Sequence, residues 1–238
     1  MKTIGLLGGM SWQSTIPYYR VINETVGRVL GGLHSARIVL WSVDFAEIEA
    51  LQHAGKWDEA GELLAAAAQA LERAGADFLV IGTNTMHVVA DRIERAIGIP
   101  LLHIADPTAA AVLRSGARTA GLLGTRFTME KDFYRKRLEE AGLQVLVPGE
   151  VDRAEVHRVI YEELCLGRTE ESSRTTYRRV IDDLVARGAD AIIFGCTEIG
   201  LLVAQADSRV PVFDTTVIHA EAAAHRAMTE PLSTAPRK

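Results

Sequence analysis

An internal duplication constrains this chain more than any other feature of its sequence. Residues 71–77 read LERAGAD and are followed by an apolar stretch and the tetrapeptide GTNT. Residues 184–190 read LVARGAD and are followed by an apolar stretch and the tetrapeptide GCTE. The two blocks align without a gap, so that Thr83 falls on Cys196. Sequence repeats indicate repeated structural units, and the two halves of the chain are therefore expected to fold alike.

The segments that flank these blocks repeat as well. Residues 99–103 (IPLLH) resemble residues 210–214 (VPVFD), and residues 2–8 (KTIGLLG) resemble residues 118–124 (RTAGLLG). In both halves short apolar runs alternate with longer amphipathic stretches, which is typical of βα units and a parallel sheet. The predicted fold class is α/β, with two pseudo-symmetric lobes that each hold a parallel sheet flanked by helices and a site between them.

Apolar periodicity and turn residues define the boundaries of these lobes and their elements. The first lobe is predicted to comprise residues 1–106 and 214–238, and the second residues 107–213. Strands are predicted over residues 3–7, 36–42, 78–81, 101–103, 120–123, 144–147, 191–194 and 212–213. Helices are predicted over residues 14–30, 57–74, 86–96, 107–115, 129–141, 153–166, 172–187 and 215–228.

Two of the predicted strand ends carry reactive side chains. Ligands of open α/β sheets bind beyond the carboxyl ends of strands, so lobes packed face to face would place Thr83 and Cys196 on two sides of one ligand. Cys196 also precedes a helical pattern, and the N–H groups of a helix N-terminus lower the pKa of a thiol. The alternative for Cys196 is a buried, inert cysteine. That is the interpretation favoured for Cys165, which falls in the middle of an amphipathic pattern.

Polar turns and loops follow the same strands. Thr83, Asn84 and Thr85 form a run of three polar residues after an apolar strand, which is more than a helix cap requires. The backbone N–H groups of this turn and of Thr197 suit a carboxylate. The glycine-rich loop at residues 8–11 fits either a substrate contact or a simple tight turn, because it is neither a dinucleotide fingerprint nor a P-loop.

Composition argues against several classes of function. The net charge of −5 comes without a run of Lys or Arg, so neither nucleic acid nor a membrane is an expected partner. The two cysteines argue against a disulfide framework and favour the reducing cytoplasm. No histidine has a spacing that suits a metal, and no lysine has a context that suits pyridoxal phosphate. His87, His103 and His219 fit either a tuning role beside a thiol or hydroxyl, or a structural role.

The repeated blocks and their neighbours together resemble the aspartate/glutamate racemase superfamily. The resemblance covers nearly the whole chain and is closest to the subgroup that contains broad-specificity amino-acid racemases. The matching stretches lie at residues 4–12, 42–45, 83–87, 102–106, 123–126, 195–200 and 212–215.

This resemblance implies a racemase that works without a cofactor or a metal and forms a homodimer. Two acid/base groups stand on opposite faces of the substrate Cα, and the matching positions are Cys196 and Thr83. Threonine is a departure from the second family cysteine, and its hydroxyl is a much weaker acid than a thiol. The residues expected to bind the amino-acid substrate are Met10, Gln52, Asn84, Thr85, Thr125, Thr197 and Glu198.

The substrate side chain and the reaction itself leave alternatives. Members of the family that are specific for aspartate hold its distal carboxylate with basic residues, but residues 44–48 contain no Arg and residues 163–166 no Lys. A neutral or polar side chain, or broad tolerance, is therefore expected. The alternatives to a racemase are a single-cysteine decarboxylase or cis-trans isomerase of the same superfamily, and a non-catalytic amino-acid-binding protein.

Overall fold

The computed structural model describes residues 1–229, which form two parallel four-stranded sheets. Strand order is β2-β1-β3-β4 in the first sheet and β6-β5-β7-β8 in the second, so the two halves share one topology. The strands are β1 (Thr3–Gly8), β2 (Arg37–Ser42), β3 (Phe78–Ile81), β4 (Leu101–Leu102), β5 (Thr119–Gly124), β6 (Gln144–Leu146), β7 (Ala191–Gly195) and β8 (Val212–Asp214).

Eleven α-helices connect and flank these strands within residues 1–229. They are α1 (Trp12–Leu30), α2 (Phe45–His53), α3 (Trp57–Arg73), α4 (Ala90–Ala96), α5 (Ala105–Arg114), α6 (Arg126–Glu130), α7 (Asp132–Glu140), α8 (Glu150–Glu162), α9 (Glu171–Ala186), α10 (Ile199–Leu202) and α11 (Thr215–Thr229). Short 3₁₀ segments lie at Thr85–Val89, Leu164–Leu166 and Gln205–Asp207.

The predicted α/β fold with two similar lobes is confirmed, and its symmetry extends to individual hydrogen bonds. The amide of Thr3 donates to a carboxylate oxygen of Asp77 over 2.7 Å. At the equivalent place in the second half, the amide of Thr119 donates to Asp190 over 2.8 Å. The aspartate that ends each repeated block therefore ties the start of one central strand to the loop before the next.

Helices cover both faces of each sheet. In the first sheet, α1 and α11 pack on one face and α3 on the other. In the second sheet, α5 and α7 pack on one face and α8 and α9 on the other. Helix α11 follows β8 of the second sheet yet packs on α1 over the first. The predicted lobe boundaries stay a prediction, and residues 230–238 lie outside the described range.

Several predicted helices are corrected by the structure. Helix α2 was not predicted; the Asp44 side chain caps it by accepting from the amide of Ala46. The helix predicted over residues 86–96 begins as a 3₁₀ turn, and the one over residues 129–141 is two helices because Lys131 is extended, with φ −81° and ψ 149°. The helix predicted over residues 153–166 runs from Glu150 to Glu162.

Candidate active site

A small cavity lies between the carboxyl ends of the strands of both sheets. Its open volume is about 10 Å³, close to the space that one water molecule needs. Seven predicted site residues line it, together with four that were not predicted. The predicted ones are Met10, Gln52, Thr83, Thr85, Thr125, Cys196 and Glu198, and the others are Phe45, Ile160, Tyr161 and Cys165.

Cys196 follows directly on β7 and is 7% exposed. Its thiol donates to a carboxylate oxygen of Glu198 over 2.9 Å, and the hydroxyl of Thr197 donates to the same oxygen over 2.8 Å. Burial raises the pKa of Cys196 well above its ordinary value, and the charge of Glu198 raises it further. The lowered thiol pKa expected from the sequence is therefore wrong: α10 starts only at Ile199, whereas the Glu198 carboxylate is in direct contact with the thiol.

Glu198 also joins the two lobes. Its other carboxylate oxygen accepts from the hydroxyl of Ser11, at the end of the first glycine-rich loop, over 2.8 Å. The reciprocal bond joins Thr85 of the first lobe to Thr125 of the second, with 2.9 Å between their hydroxyl oxygens. In each case the residue two positions after the reactive one reaches across to the opposite lobe. The turns that follow β3 and β7 and the loops that follow β1 and β5 therefore hold one another in place.

Thr83 occupies the matching position after β3. Within residues 1–229 its hydroxyl makes no hydrogen bond, although its side chain borders the cavity. Its backbone carbonyl accepts from Nδ1 of His87 over 2.8 Å, while Nε2 of His87 accepts from the amide of Ile104 over 3.3 Å. One neutral imidazole thus positions Thr83 through its backbone and leaves the hydroxyl free for a ligand.

The three histidines singled out from the sequence form a buried group behind Thr83. The ring centroids of His87 and His103 are 4.4 Å apart, and those of His87 and His219 are 6.1 Å apart. His219 donates from Nε2 to the carbonyl of Leu102 and accepts at Nδ1 from Tyr18, both over 2.8 Å. Burial lowers the pKa of His103 to about 3 and that of His219 to about 4, and it lowers the pKa of His87 as well. These contacts are structural, with backbone groups and a tyrosine.

Asn84 and Thr197 do not line the cavity. Asn84 is buried and donates from Nδ2 to the hydroxyl of Thr215 over 2.9 Å, whereas its Oδ1 is buried without a partner in the described part of the chain. Thr197 turns toward Glu198, as described above. Both residues therefore support the two turns from outside the cavity.

Tyr161 and Phe45 close the outer side of the cavity. The Tyr161 hydroxyl donates to Oε1 of Gln52 over 2.6 Å, and the rings of Phe45 and Tyr161 stack with centroids 6.3 Å apart. Gln52 in turn donates to the sulfur of Met86 over 2.9 Å. These contacts join α2 to α8 across the cleft. Sequence reasoning missed them because α2 itself was not predicted, although Phe45 belongs to one of the matching stretches.

An outer chamber of about 520 Å³ lies beyond this closure. Its walls include Phe45, Tyr161 and Cys165, which also border the inner cavity, so the two spaces are neighbours. Cys165 packs against the hydrophobic core of the second lobe, as expected, but it lies in a 3₁₀ turn and not in the middle of a helix, and its half-buried side chain also borders both spaces. The amphipathic pattern could not show that the helix ends at Glu162, just before it.

Arg158 and His53, two basic side chains that line the outer chamber, already contact carboxylates. Arg158 contacts the carboxylates of Glu155, Glu162 and Glu163 at 2.8, 3.5 and 2.9 Å. His53 lies 2.8 Å from a carboxylate oxygen of Glu49. No Arg or Lys of residues 1–229 lines the inner cavity. The site therefore offers an incoming ligand an acidic group, hydroxyls and a thiol, but no unpaired cation.

Residues 1–229 lack two kinds of feature, a membrane-spanning helix and a metal-binding cluster. None of the described helices combines the length and apolar character that crossing a bilayer requires. The same range contains no cluster of three His, Cys, Asp or Glu side chains arranged to hold a metal ion.

Comparison with known families decides the identity. Residues 7–223 match the family model for Asp/Glu/hydantoin racemases. This chain belongs to the Asp/Glu/hydantoin racemase family. The racemase is 26% identical over 220 residues to the broad specificity amino-acid racemase RacX of Bacillus subtilis (strain 168), covering 90% of this chain and 92% of that one. Both the superfamily resemblance and the expectation of an isomerase are thereby confirmed.

Solved structures agree with this assignment. The racemase is 60% identical to a candidate Asp/Glu racemase from Yersinia pestis, with a TM-score of 0.89 over 96% of this chain and 100% of the other. It is 36% identical to an aspartate racemase homologue from Pyrococcus horikoshii OT3, with a TM-score of 0.82 over 95% and 99% of the two chains.

Proposed function

We propose that this racemase inverts free amino acids by moving the Cα proton between Cys196 and Thr83. The observation that carries the proposal is that a thiol and a hydroxyl border one small cavity, each directly after the same strand of its lobe. Two groups from opposite lobes can reach opposite faces of one carbon. Inversion through a carbanion requires this, because the proton leaves one face of Cα and another arrives on the other face. The substrate-binding residues predicted from the sequence are part of the same proposal.

Glu198 prepares the thiol for this reaction. The thiol of Cys196 donates its proton to the Glu198 carboxylate, and burial raises the thiol pKa so that the protonated form is favoured. A substrate ammonium group beside these residues would stabilise negative charge and lower the thiol pKa, so that Glu198 can accept the proton. The thiolate then takes the Cα proton, and the carbanion takes a proton from the Thr83 hydroxyl on its other face. Once the product leaves, Glu198 releases its proton to solvent and the Thr83 alkoxide takes one from solvent, which restores the starting protonation of both groups.

The value of kcat is expected to differ between the two directions of this reaction. A thiolate is a competent proton acceptor, whereas a threonine hydroxyl donates readily to a carbanion but abstracts a proton poorly. The enantiomer whose Cα proton faces Cys196 should therefore have the larger kcat. Because the equilibrium between mirror images is close to one, KM must compensate. Measuring kcat and KM from both enantiomers tests this claim, and equal kcat values would contradict it.

The surroundings of the cavity favour a substrate with a neutral or polar side chain. A distal carboxylate would have to break Arg158 or His53 away from its glutamate partners, since the inner cavity holds no cation. The outer chamber has room for a side chain of ordinary size. The inner cavity is too small for an amino acid, so the contact between Tyr161 and Gln52 has to open on entry.

An exchange experiment tests the proposed function directly. Each L- and D-amino acid is incubated with the racemase in deuterated water, and deuterium at Cα is followed by mass spectrometry together with optical rotation. Exchange with loss of optical activity supports the proposal, and Cys196→Ala is the matched negative control. Carbon dioxide release, or binding without exchange, would contradict it in favour of a decarboxylase or a binding protein. The homodimer and the cytoplasmic location stay predictions.

A further inference from the structure

Ring side chains line the outer chamber from both sides of the cleft. Phe45 and His53 belong to α2 of the first lobe, and His157 and Tyr161 belong to α8 of the second. The volume of about 520 Å³ lies within the range of about 300–1,000 Å³ that is usual for small-molecule sites. Because Phe45 and Tyr161 also border the inner cavity, a side chain attached to a Cα in that cavity would extend between these rings.

The rings of Phe45 and Tyr161 are close to the arrangement that holds a flat group between them. Their planes form an angle of 22° and their centroids are 6.3 Å apart. Carbon atoms in contact are about 3.5–4.0 Å apart, so a flat ring between two others needs about 7 Å. The contact between Tyr161 and Gln52 has to open when a ligand enters, and a small outward movement of Tyr161 would then admit a third ring.

Two imidazoles extend this ring-lined wall. The centroid of His157 lies 4.7 Å from that of Tyr161, and the centroid of His53 lies 5.6 Å from it. Aromatic pairs prefer offset or edge-to-face arrangements with centroids about 4.5–7 Å apart, and they contribute more than the buried area alone. The chamber therefore offers a planar side chain several ring contacts at favourable distances.

The charged side chains of the chamber are paired with one another. Arg158 and Glu162 are 3.5 Å apart, and His53 and Glu49 are 2.8 Å apart. All four line the chamber. A charged ligand side chain of either sign would have to break one of these pairs, whereas an uncharged one leaves both intact. The ring faces are thus the groups of the chamber that a ligand can contact without this cost.

His157 adds one hydrogen-bond donor to the chamber. Burial lowers the pKa of His157 to about 4, so the imidazole is neutral at pH 7. Its Nδ1 accepts from the amide of Arg126 over 3.3 Å, which places the proton on Nε2. Among the hydrogen bonds of residues 1–229 none uses this Nε2–H group. A hydroxyl on a bound ring is a suitable acceptor for it.

We infer that the outer chamber takes the side chain of an aromatic amino acid, with Phe45 and Tyr161 as its specificity-determining residues. The ring of the substrate lies between these two rings, and the hydroxyl of a phenolic side chain accepts from Nε2 of His157. The inference rests on the proposed function, because it assumes that the substrate Cα occupies the inner cavity. It narrows the neutral or polar side chain of that proposal to one chemical class.

Phenylalanine and cyclohexylalanine test this inference, because their side chains share one carbon skeleton and only the first is aromatic. The kcat/KM for Cα deuterium exchange should be about tenfold larger for phenylalanine, as two ring contacts of ordinary strength predict. Burial of apolar area alone predicts no such preference, since the cyclohexyl group is the more apolar of the two. Phe45→Leu should reduce the ratio to about threefold. Phe133→Leu, at an aromatic position of α7 that does not line the chamber, is the matched control and should keep the ratio.

A second variant tests the hydrogen bond from His157. Tyrosine should have a larger kcat/KM than phenylalanine in the parent chain. His157→Phe keeps a ring at this position but has no donor, so it should remove the advantage of tyrosine and leave the preference for phenylalanine over cyclohexylalanine. An advantage of tyrosine that survives this substitution would contradict the role of His157.

Binding without turnover separates this inference from the proposed function. Calorimetric titration of Cys196→Ala, which lacks the reactive thiol, should give a Kd for phenylalanine about tenfold below that for cyclohexylalanine. If the parent exchanges the Cα proton of alanine but treats the two ring compounds alike in kcat/KM and Kd, the inference is overturned and the proposed function stands. If the ring preference appears in binding while the parent exchanges no amino acid, the inference stands and the proposed function fails. A larger kcat/KM for lysine or glutamate than for phenylalanine would also overturn the inference.

Discussion

The two lobes share a scaffold but differ in the groups that surround the reactive position. Thr83 and Cys196 follow equivalent strands, and the residues two positions further on, Thr85 and Glu198, both bond across the cleft. Behind Thr83, however, lie neutral imidazoles, whereas the thiol of Cys196 faces a carboxylate. The two halves thus share one backbone arrangement and differ in the side chains around the equivalent positions.

The difference extends to the packing behind each turn. His87 and His103 of the first lobe fall on Gly200 and Asp214 of the second in the alignment of repeats. A Cβ on Gly200 would come within 2.5 Å of a carboxylate oxygen of Asp214, so the glycine admits that carboxylate. In the first lobe the rings of His87 and His103 occupy the equivalent positions in an edge-to-face arrangement. Equivalent strand ends therefore carry imidazoles in the first lobe and a carboxylate in the second.

The largest effect is expected from removing the thiol. Cys196→Ser should reduce kcat for Cα exchange about 10⁴-fold, the upper range for loss of a general acid/base, because a serine hydroxyl is a poor base. Cys165→Ser is the matched control, since Cys165 borders the same cavity but follows no strand. Its kcat should stay within about tenfold of the parent. Deuterium exchange in both variants checks the prediction, and comparable losses would remove the distinction between the two thiols.

The next effect concerns the histidines that only the first lobe contains. Their folded pKa values lie below the ordinary value, about 3 for His103 and about 4 for His219. As the pH falls, these histidines take up protons in the unfolded chain at a higher pH than in the folded protein. The stabilisation that their neutral forms provide is fully present above pH 6.5 and is lost as the pH falls toward 4. Each histidine should lower the free energy of unfolding by about 1.4 kcal/mol per pH unit in that window.

Urea unfolding between pH 7 and 4 measures this slope. His225 is exposed, so His225→Gln should leave the slope unchanged. His103→Gln should make it shallower. A parent protein with the same stability at pH 7 and pH 5 would show that these imidazoles are not held neutral.

The third effect makes the two lobes more alike. Thr83→Cys places a thiol at both strand ends and should raise kcat in the slow direction up to about 100-fold, toward the contribution of a competent base. Thr83→Val keeps the shape without the hydroxyl and should lower kcat in both directions. Initial rates from each enantiomer check both variants. An unchanged ratio of the two kcat values in Thr83→Cys would mean that another group delivers the proton.

The smallest effect compares the two bonds across the cleft. Ser11→Ala removes a hydrogen bond to the buried carboxylate of Glu198, whereas Thr85→Val removes one between hydroxyls. Hydrogen bonds to charged groups contribute about 1.5–3 kcal/mol and neutral ones about 0.5–1.5 kcal/mol. Urea unfolding at pH 7 should therefore show the larger loss for Ser11→Ala. The reverse order would place the stronger link between the lobes at Thr85.

The sequence alone determined the duplication, and with it the α/β class, the shared topology and the pairing of Thr83 with Cys196 as equivalent positions. These follow from local periodicity and from matching blocks, which each half carries by itself. Seven of the nine predicted site residues line one cavity. Thr83, Thr85 and Cys196 do so because strand ends of equivalent units meet, whereas Met10 and Gln52 were expected from the family resemblance.

Tertiary structure alone decided what lies between and around these positions. The closure by Tyr161 and Gln52 and the place of Cys165 beside it depend on how α2 and α8 meet across the cleft. Glu198 reaches the thiol within its own turn, and Ser11 of the other lobe donates to its second oxygen. Burial and the neighbouring charge of Glu198 raise the thiol pKa, whereas a helix N-terminus would lower it. The closure of the cleft and the burial of the thiol arise between residues far apart in the chain, and no local pattern records them.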